Sequence, residues 1–282
     1  MDHRSLIGAA TFVAMALAIL TLAPVARGRA DDVSRYPDWR GEWVRAVGVQ
    51  WDPTKPAARG QQAPLTAEYQ KIYDATLAQQ VVGGQEYNPQ VRCLPSGMPR
   101  MMIGYEPMEV IVTPETTYIR LVYMAEFRRI YTDGRDWPAH IEPTYAGYSI
   151  GRWVDPDGSG RFHALEVETR GFKGPRVVEN TGIPIHADSQ TVIKERISLD
   201  PATGTLNDEV TLIDHAFTRP WTVTRKFKRE PKEAWTEYFC GENNNLINIG
   251  QHSYYINYDG NLMPMEKDEP PPGLRGFDQP KK

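Results

Sequence analysis

From residue 108 to residue 240 apolar and polar residues alternate at period two, in short runs separated by turn-forming residues. That is the pattern of strands with one buried face. The runs predict strands over 108–113, 117–131, 147–154, 162–169, 191–199, 206–214, 221–229 and 234–240. Between them stand Thr132-Asp133-Gly134, Asp155-Pro156-Asp157-Gly158, Asp200-Pro201-Ala202-Thr203-Gly204 and Arg229-Glu230-Pro231-Lys232. Their Asp, Pro and Gly residues favour tight reversals. Short reversals without helical crossovers define an antiparallel sheet, and a sheet this long curls into a barrel or folds into a sandwich. The expected fold is all-β: a single calycin-like antiparallel barrel, with a strongly curved sheet or sandwich as the alternative.

Upstream the period changes. Tyr69, Ile72, Tyr73, Thr76 and Leu77 fall at i, i+3, i+4, i+7 and i+8, which predicts one short amphipathic helix over 66–82, capped by Thr66 and stopped by Gly83-Gly84. Residues 31–64 are rich in Pro, Gly and Trp (Trp39, Trp43, Trp51) and read as an irregular arm packed on the core, with one short strand around 43–49. The arm and helix occupy 31–105, the β domain 106–269, and a Pro- and charge-rich tail, expected to be disordered, 270–282.

The N-terminus supplies an address. An uncharged run over 6–25, behind Asp2, His3 and Arg4 and ahead of Gly28-Arg29-Ala30, reads as a secretory signal peptide, residues 1–30, cut after Ala30. The alternative is an uncleaved membrane anchor. A cut signal places the working protein in the periplasm or outside the cell, whereas for the anchor Arg27 and Arg29 give no clean orientation signal. Loss of Arg4, Arg27, Arg29 and Asp2 takes the formal charge from −4 to about −6, and an acidic chain without basic runs is no nucleic-acid binder.

The two cysteines, Cys93 and Cys240, form one disulfide in an oxidising compartment or stay as two buried thiols. A bridge over so long a loop is worth about 4–5 kcal/mol in the chain-entropy description, and it would tie the arm to the last strand.

Several segments carry a resemblance. Arg92-Cys93-Leu94-Pro95-Ser96-Gly97-Met98-Pro99-Arg100, Arg128-Arg129-Ile130-Tyr131-Thr132-Asp133-Gly134-Arg135, Gly147-Tyr148-Ser149-Ile150-Gly151-Arg152-Trp153, Arg219-Pro220-Trp221-Thr222-Val223-Thr224-Arg225 and Glu237-Tyr238-Phe239-Cys240-Gly241-Glu242-Asn243-Asn244 together resemble a family of exported bacterial proteins of unknown function. The likeness covers most of 36–245. It implies export and a β-rich fold, and it brings no activity with it. Where family members often read Pro-His-Ser-Asp, this chain has Ile185-His186-Ala187-Asp188, which keeps the His and the Asp and weakens any role for the Ser position.

The sharpest chemical signal is charge on faces that alternation makes apolar. Glu195 shares a face with Thr191, Ile193, Ile197 and Leu199; Arg225 shares one with Trp221, Val223 and Phe227; Arg129 shares one with Leu121, Tyr123, Phe127 and Tyr131. Inward charges need partners or water, so either Glu195 pairs with Arg225 or the arginines face a ligand's anionic or carbonyl oxygen.

A second signal is His186 and Asp188 in the loop 181–189, spaced for acid–base work or for simple turn bonding. Tyr145 and His140 lie on a long connection over 134–146 that is either a lid or a packed segment. His163 and His215 have no partner at metal-ligand spacing, and H-E-x-x-H, C-x-x-C and G-x-S-x-G are all missing from the sequence. No metal or cofactor is expected.

These signals assemble into a small-molecule site at one barrel end. It is lined by Tyr123, Phe127, Tyr131, Tyr145 and Trp221, anchored by Arg129 and Arg225, with polar contacts from His186, Asp188 and Glu195. The ligand is a small, partly apolar molecule. Two other readings compete: a cofactor-free isomerase, lyase or hydrolase using His186, Asp188 and Glu195, and an envelope structural or interaction protein with a filled barrel. The sequence specifies no oligomeric state.

Overall fold

A computed structural model describes residues 33–81, 88–188, 190–232, 235–242, 246–249, 252–256 and 262–263. The expected signal peptide and tail lie outside these residues. Nine strands, β1 (Glu42–Arg45), β2 (Met108–Val112), β3 (Thr116–Leu121), β4 (Phe127–Tyr131), β5 (Tyr148–Val154), β6 (Ala164–Arg170), β7 (Val192–Asp200), β8 (Thr205–Ile213) and β9 (Trp221–Arg229), follow one another in sequence order. Strand β9 pairs back onto β1, Trp43 opposite Arg229, and closes a barrel. Closure removes both sheet edges, which settles the choice between barrel and sandwich. The arm supplies the closing strand through the Trp43 segment. A separate three-stranded sheet holds β10 (Leu246–Ile249), β11 (His252–Ile256) and β12 (Leu262–Met263).

Strands β4 and β5 are parallel, with Ile130 opposite Ser149; every other neighbouring pair in the barrel is antiparallel. A parallel pair needs its connection to travel back along the strands, and the long segment 132–147 makes that return. Helix α1 (Ala67–Val81) matches the expected 66–82 to a residue at each end. Thr66 Oγ1 accepts the Tyr69 N–H at 3.4 Å, the N-cap geometry the sequence called for.

Two expected strands need correction. The run 117–131 is two strands, because a 3-10 turn over Tyr123–Ala125 interrupts it, with Met124 and Ala125 at φ 58° and 48°. The break resets the alternation. Ile119 and Leu121 face inward before it, whereas Arg128 and Ile130 face inward after it, leaving Phe127 and Arg129 exposed. The inward arginine of this strand is therefore Arg128, not Arg129. The second correction is 234–240, whose described residues form no strand. Cys93 and Cys240 are bridged, with Cα atoms 5.6 Å apart, so the disulfide ties the arm to an irregular C-terminal segment.

The interior is filled. Trp39, Trp43 and Trp51 from the arm are buried with Ile119, Leu165, Ile193, Val210 and Phe227 from the strands. An interior void of only about 10 Å³ remains, lined by Trp39, Ile119, Ile197, Leu206 and Asp208 among others. That volume is about one water molecule by the usual threshold. The lumen is a packed core and not a ligand chamber.

Candidate functional site

The buried charges inside the barrel fall into two layers. Glu195 does face inward, but its partner is Arg128: Arg128 Nη1 donates to Glu195 Oε1 at 2.8 Å, and Nη2 donates to Oε2. The guanidinium also donates to Ser149 Oγ at 3.2 Å and Thr169 Oγ1 at 2.8 Å. Neither side chain of the pair is exposed at all. The two-pronged geometry and the hydroxyls satisfy most of the donors, which is what makes a buried ion pair tolerable.

Arg225 is also buried, but it binds backbone, not Glu195. It donates to the carbonyls of Gln50, Trp51 and Gly48 at 2.5, 2.9 and 3.0 Å, which pins the arm across the barrel end. Burial pulls its pKa down to about 10. Asp208 lies opposite it in the β8–β9 register, yet neither carboxyl oxygen has a hydrogen-bond partner among the described residues. Burial first, and the Glu195 charge second, push the Asp208 pKa well above the ordinary value.

The barrel end that receives the starts of β7 and β9 is capped by α1 and the loop 175–188. Main chain braces this loop internally, with Val178 N–H donating to Ile183 O at 2.9 Å. Tyr73 Oη meets Thr181 Oγ1 at 2.6 Å, and Gln80 Nε2 donates to Thr181 O at 3.1 Å, so α1 is sewn onto the loop. Gly182, at φ +84°, sits where a Cβ would come within 2.7 Å of Thr76 Cγ2. Both the left-handed backbone and the close helix approach require glycine there. Asp214, just past β8, accepts the His186 N–H at 3.0 Å, the Ala216 N–H at 2.8 Å and the Thr191 hydroxyl at 2.6 Å.

A groove of about 290 Å³ opens between α1, residues 89–94 and this loop. Tyr69, Ile72, Leu94, Val177 and Ile185 give it apolar walls, and two cations line it, the exposed Arg92 and the buried Arg176. Arg176 is 4% exposed; it donates to Met98 O at 3.3 Å and Thr191 Oγ1 at 2.9 Å, and its Nε has no partner among the described residues. Burial lowers its pKa to about 10, so it is charged at neutral pH. No carboxylate pairs with it directly among the described residues: Thr191 links it by hydrogen bonds to Asp214, the Asp214 and Asp188 charges act on it through space, and its guanidinium lies over the Phe172 ring, 4.5 Å from the centroid.

His186 and Asp188 do come together, Nδ1 to Oδ1 at 3.2 Å. The Asp188 N–H donates to the same Nδ1 at 3.1 Å, so that nitrogen acts as an acceptor. A general-base dyad needs the opposite, a carboxylate holding an Nδ1–H. His215, which the sequence left partnerless, joins them, its Nδ1 3.8 Å from Asp188 Oδ2, and its ring stands edge-on to that of His186 at 5.5 Å. The spacing in sequence hides this contact. The β7–β8 hairpin reveals it: Val192 pairs with Ile213, and extending that register brings residue 215 level with residue 190.

The remaining expected residues are dispersed. Phe127, Arg129 and Tyr131 share a groove of about 460 Å³ with Glu126 and Tyr148, but it lies on the outer wall at the β4–β5 junction. Tyr123 packs against Tyr105 and Tyr238. Trp221 is buried against Trp51 and Phe217. Tyr145 is half-buried under Lys173, and its carbonyl accepts the Met98 N–H at 3.0 Å, so the segment around it is packed onto the core. The structure does not gather these residues around one barrel end. Arg176 and Tyr69 were missed as site residues because they lie on a loop and a helix, where strand alternation says nothing.

No protein-family model matches the chain, and no curated protein is similar to it.

Proposed function

We propose that this is an exported small-molecule-binding protein whose ligand is a small, partly apolar carboxylate, held in the groove between α1 and the loop 175–188. The observation that carries this reading is Arg176, a buried cation without an ion-paired carboxylate beside an apolar groove. A buried charge with incomplete compensation favours an incoming anion, while Ile72, Leu94, Val177 and Ile185 suit a hydrocarbon or aryl body. At about 290 Å³ the groove is at the small end of ligand sites. The Cys93–Cys240 bridge supports export, because such bonds persist in oxidising compartments. Among the described residues no helix is long and apolar enough to cross a membrane. The resemblance to exported bacterial proteins points the same way.

The site expected at one barrel end was built from inward strand residues; the groove under the cap is built from other residues, with Arg225 and Trp221 buried in the core and Arg129 on the outer wall. The test uses native mass spectrometry of the protein taken from its own exported fraction, followed by titration with alkyl and aryl carboxylates and their matching alcohols. Carboxylates should bind in preference to alcohols, and Arg176→Gln should weaken the carboxylates by at least about tenfold, since a hydrogen bond to a charged group contributes about 1.5–3 kcal/mol. Equal binding of acid and alcohol, or an Arg176→Gln variant with undiminished affinity, would sink the proposal.

A further inference from the structure

We infer that His186, Asp188 and His215 form a binding site for one divalent first-row transition ion, Zn²⁺ being the natural occupant. One donor atom from each of the three lies within 4.8 Å of the other two. The Asp188 carboxylate stands between the two imidazoles, 3.2 Å from one Nδ1 and 3.8 Å from the other. Ligand bonds of about 2.0–2.2 Å in tetrahedral geometry put neighbouring donors ~3.3–3.5 Å apart. The His186–Asp188 edge is already at that spacing, the His215–Asp188 edge is a few tenths of an ångström longer, and with all three donors within 4.8 Å of one another the exposed His215 side chain closes the remainder by swinging in.

His186 Nδ1 lies 3.1 Å from the Asp188 backbone nitrogen and 3.2 Å from Asp188 Oδ1, so the local turn itself holds this ring nitrogen and this carboxylate together.

The backbone under the ligands is held by one group. Asp214 Oδ1 accepts both the His186 N–H and the Ala216 N–H, so a single carboxylate fixes the loop bearing His186 and the loop bearing His215. The ligands remain partly exposed, His215 most of all, so an ion can enter without unfolding. Two imidazoles with one carboxylate suit zinc, iron, nickel or copper and not calcium or magnesium, and three protein ligands leave a position for water or an anion. Arg176 faces the same cluster, and its charge opposes the ion while Asp214 offsets it.

This site adjoins the carboxylate groove, sharing Tyr69 against His186, but it does not rest on that reading and is tested with metal alone. Untagged protein dialysed against a chelator is titrated with Zn²⁺ by calorimetry and with Co²⁺ by visible absorption, with circular dichroism as the check on folding. One ion per chain should bind. His215→Ala, at an exposed position, and Asp188→Asn should each weaken Zn²⁺ by at least about tenfold, while His163→Ala should match the wild type. Absence of stoichiometric binding, or unchanged affinity in folded His215→Ala, overturns the assignment; Asp188→Asn then only confirms the result.

Discussion

The barrel interior and the cap over one of its ends treat charge in opposite ways. Inside, Arg128 and Glu195 satisfy each other, Ser149 and Thr169 take up remaining donors, Arg225 is spent on arm carbonyls, and burial pushes the Asp208 pKa well up. At the cap, Arg176, whose Nε like that of Arg225 has no partner among the described residues, lies beside an apolar groove, and three donor atoms of His186, Asp188 and His215 converge. The same residue types build a fold in one place and leave binding capacity in the other. What separates them is closure: a barrel packed to a void of about 10 Å³ has no room for a ligand, whereas loops and a helix laid over its end enclose a groove.

The largest effect should come from breaking the interior pair. Arg128→Met leaves Glu195 buried without its cation, and stability measured by denaturant unfolding should fall by about 3–5 kcal/mol. The double variant Arg128→Met/Glu195→Leu should recover most of that loss. A single variant as stable as the wild type would mean that the pair is not what holds β4 against β7.

Removing the bridge comes next. Cys93→Ser/Cys240→Ser should lower stability by about 2–5 kcal/mol without altering the barrel's circular dichroism.

At the cap, Gly182→Ala should destabilise by about 1–3 kcal/mol through its left-handed backbone and its approach to Thr76. It should also loosen α1, seen as faster amide exchange in the helix than in the barrel strands.

The smallest effect is a slope. The native Asp208 carboxyl holds its proton more tightly than the unfolded one, so its contribution is complete below the ordinary value of 3.8 and is lost as pH rises through the raised native value. Glu126 and Glu179, raised by burial, contribute with the same sign. Asp208→Asn should therefore flatten part of the decline of stability with rising pH; an unchanged slope would mean that Asp208 is ionised in the core.

Much of the barrel was legible because alternation is a local signal. Strands β5 to β9 sit within a residue or two of their expected bounds, and Glu195 and Arg225 face inward as their neighbours require. Alternation failed where the backbone left the pleat. The turn at Met124 and Ala125, two residues with positive φ and no glycine to announce it, moved the inward charge from Arg129 to Arg128 and with it changed the partner of Glu195. The cap was legible only in part. His186 and Asp188 stood out by their spacing, but Arg176, Tyr69 and His215 reach the cap through tertiary packing of α1 and two loops, which no period in the sequence encodes.

The central claim is that binding belongs to the cap and not to the lumen. Chemical-shift mapping of labelled protein titrated with an aryl carboxylate tests it most directly. The account predicts saturable shifts at Tyr69, Ile72, Arg176, Val177 and Ile185, with Leu165, Ile193 and Val210 unmoved. Shifts concentrated at the interior residues, or on the outer wall around Phe127 and Arg129, would contradict it.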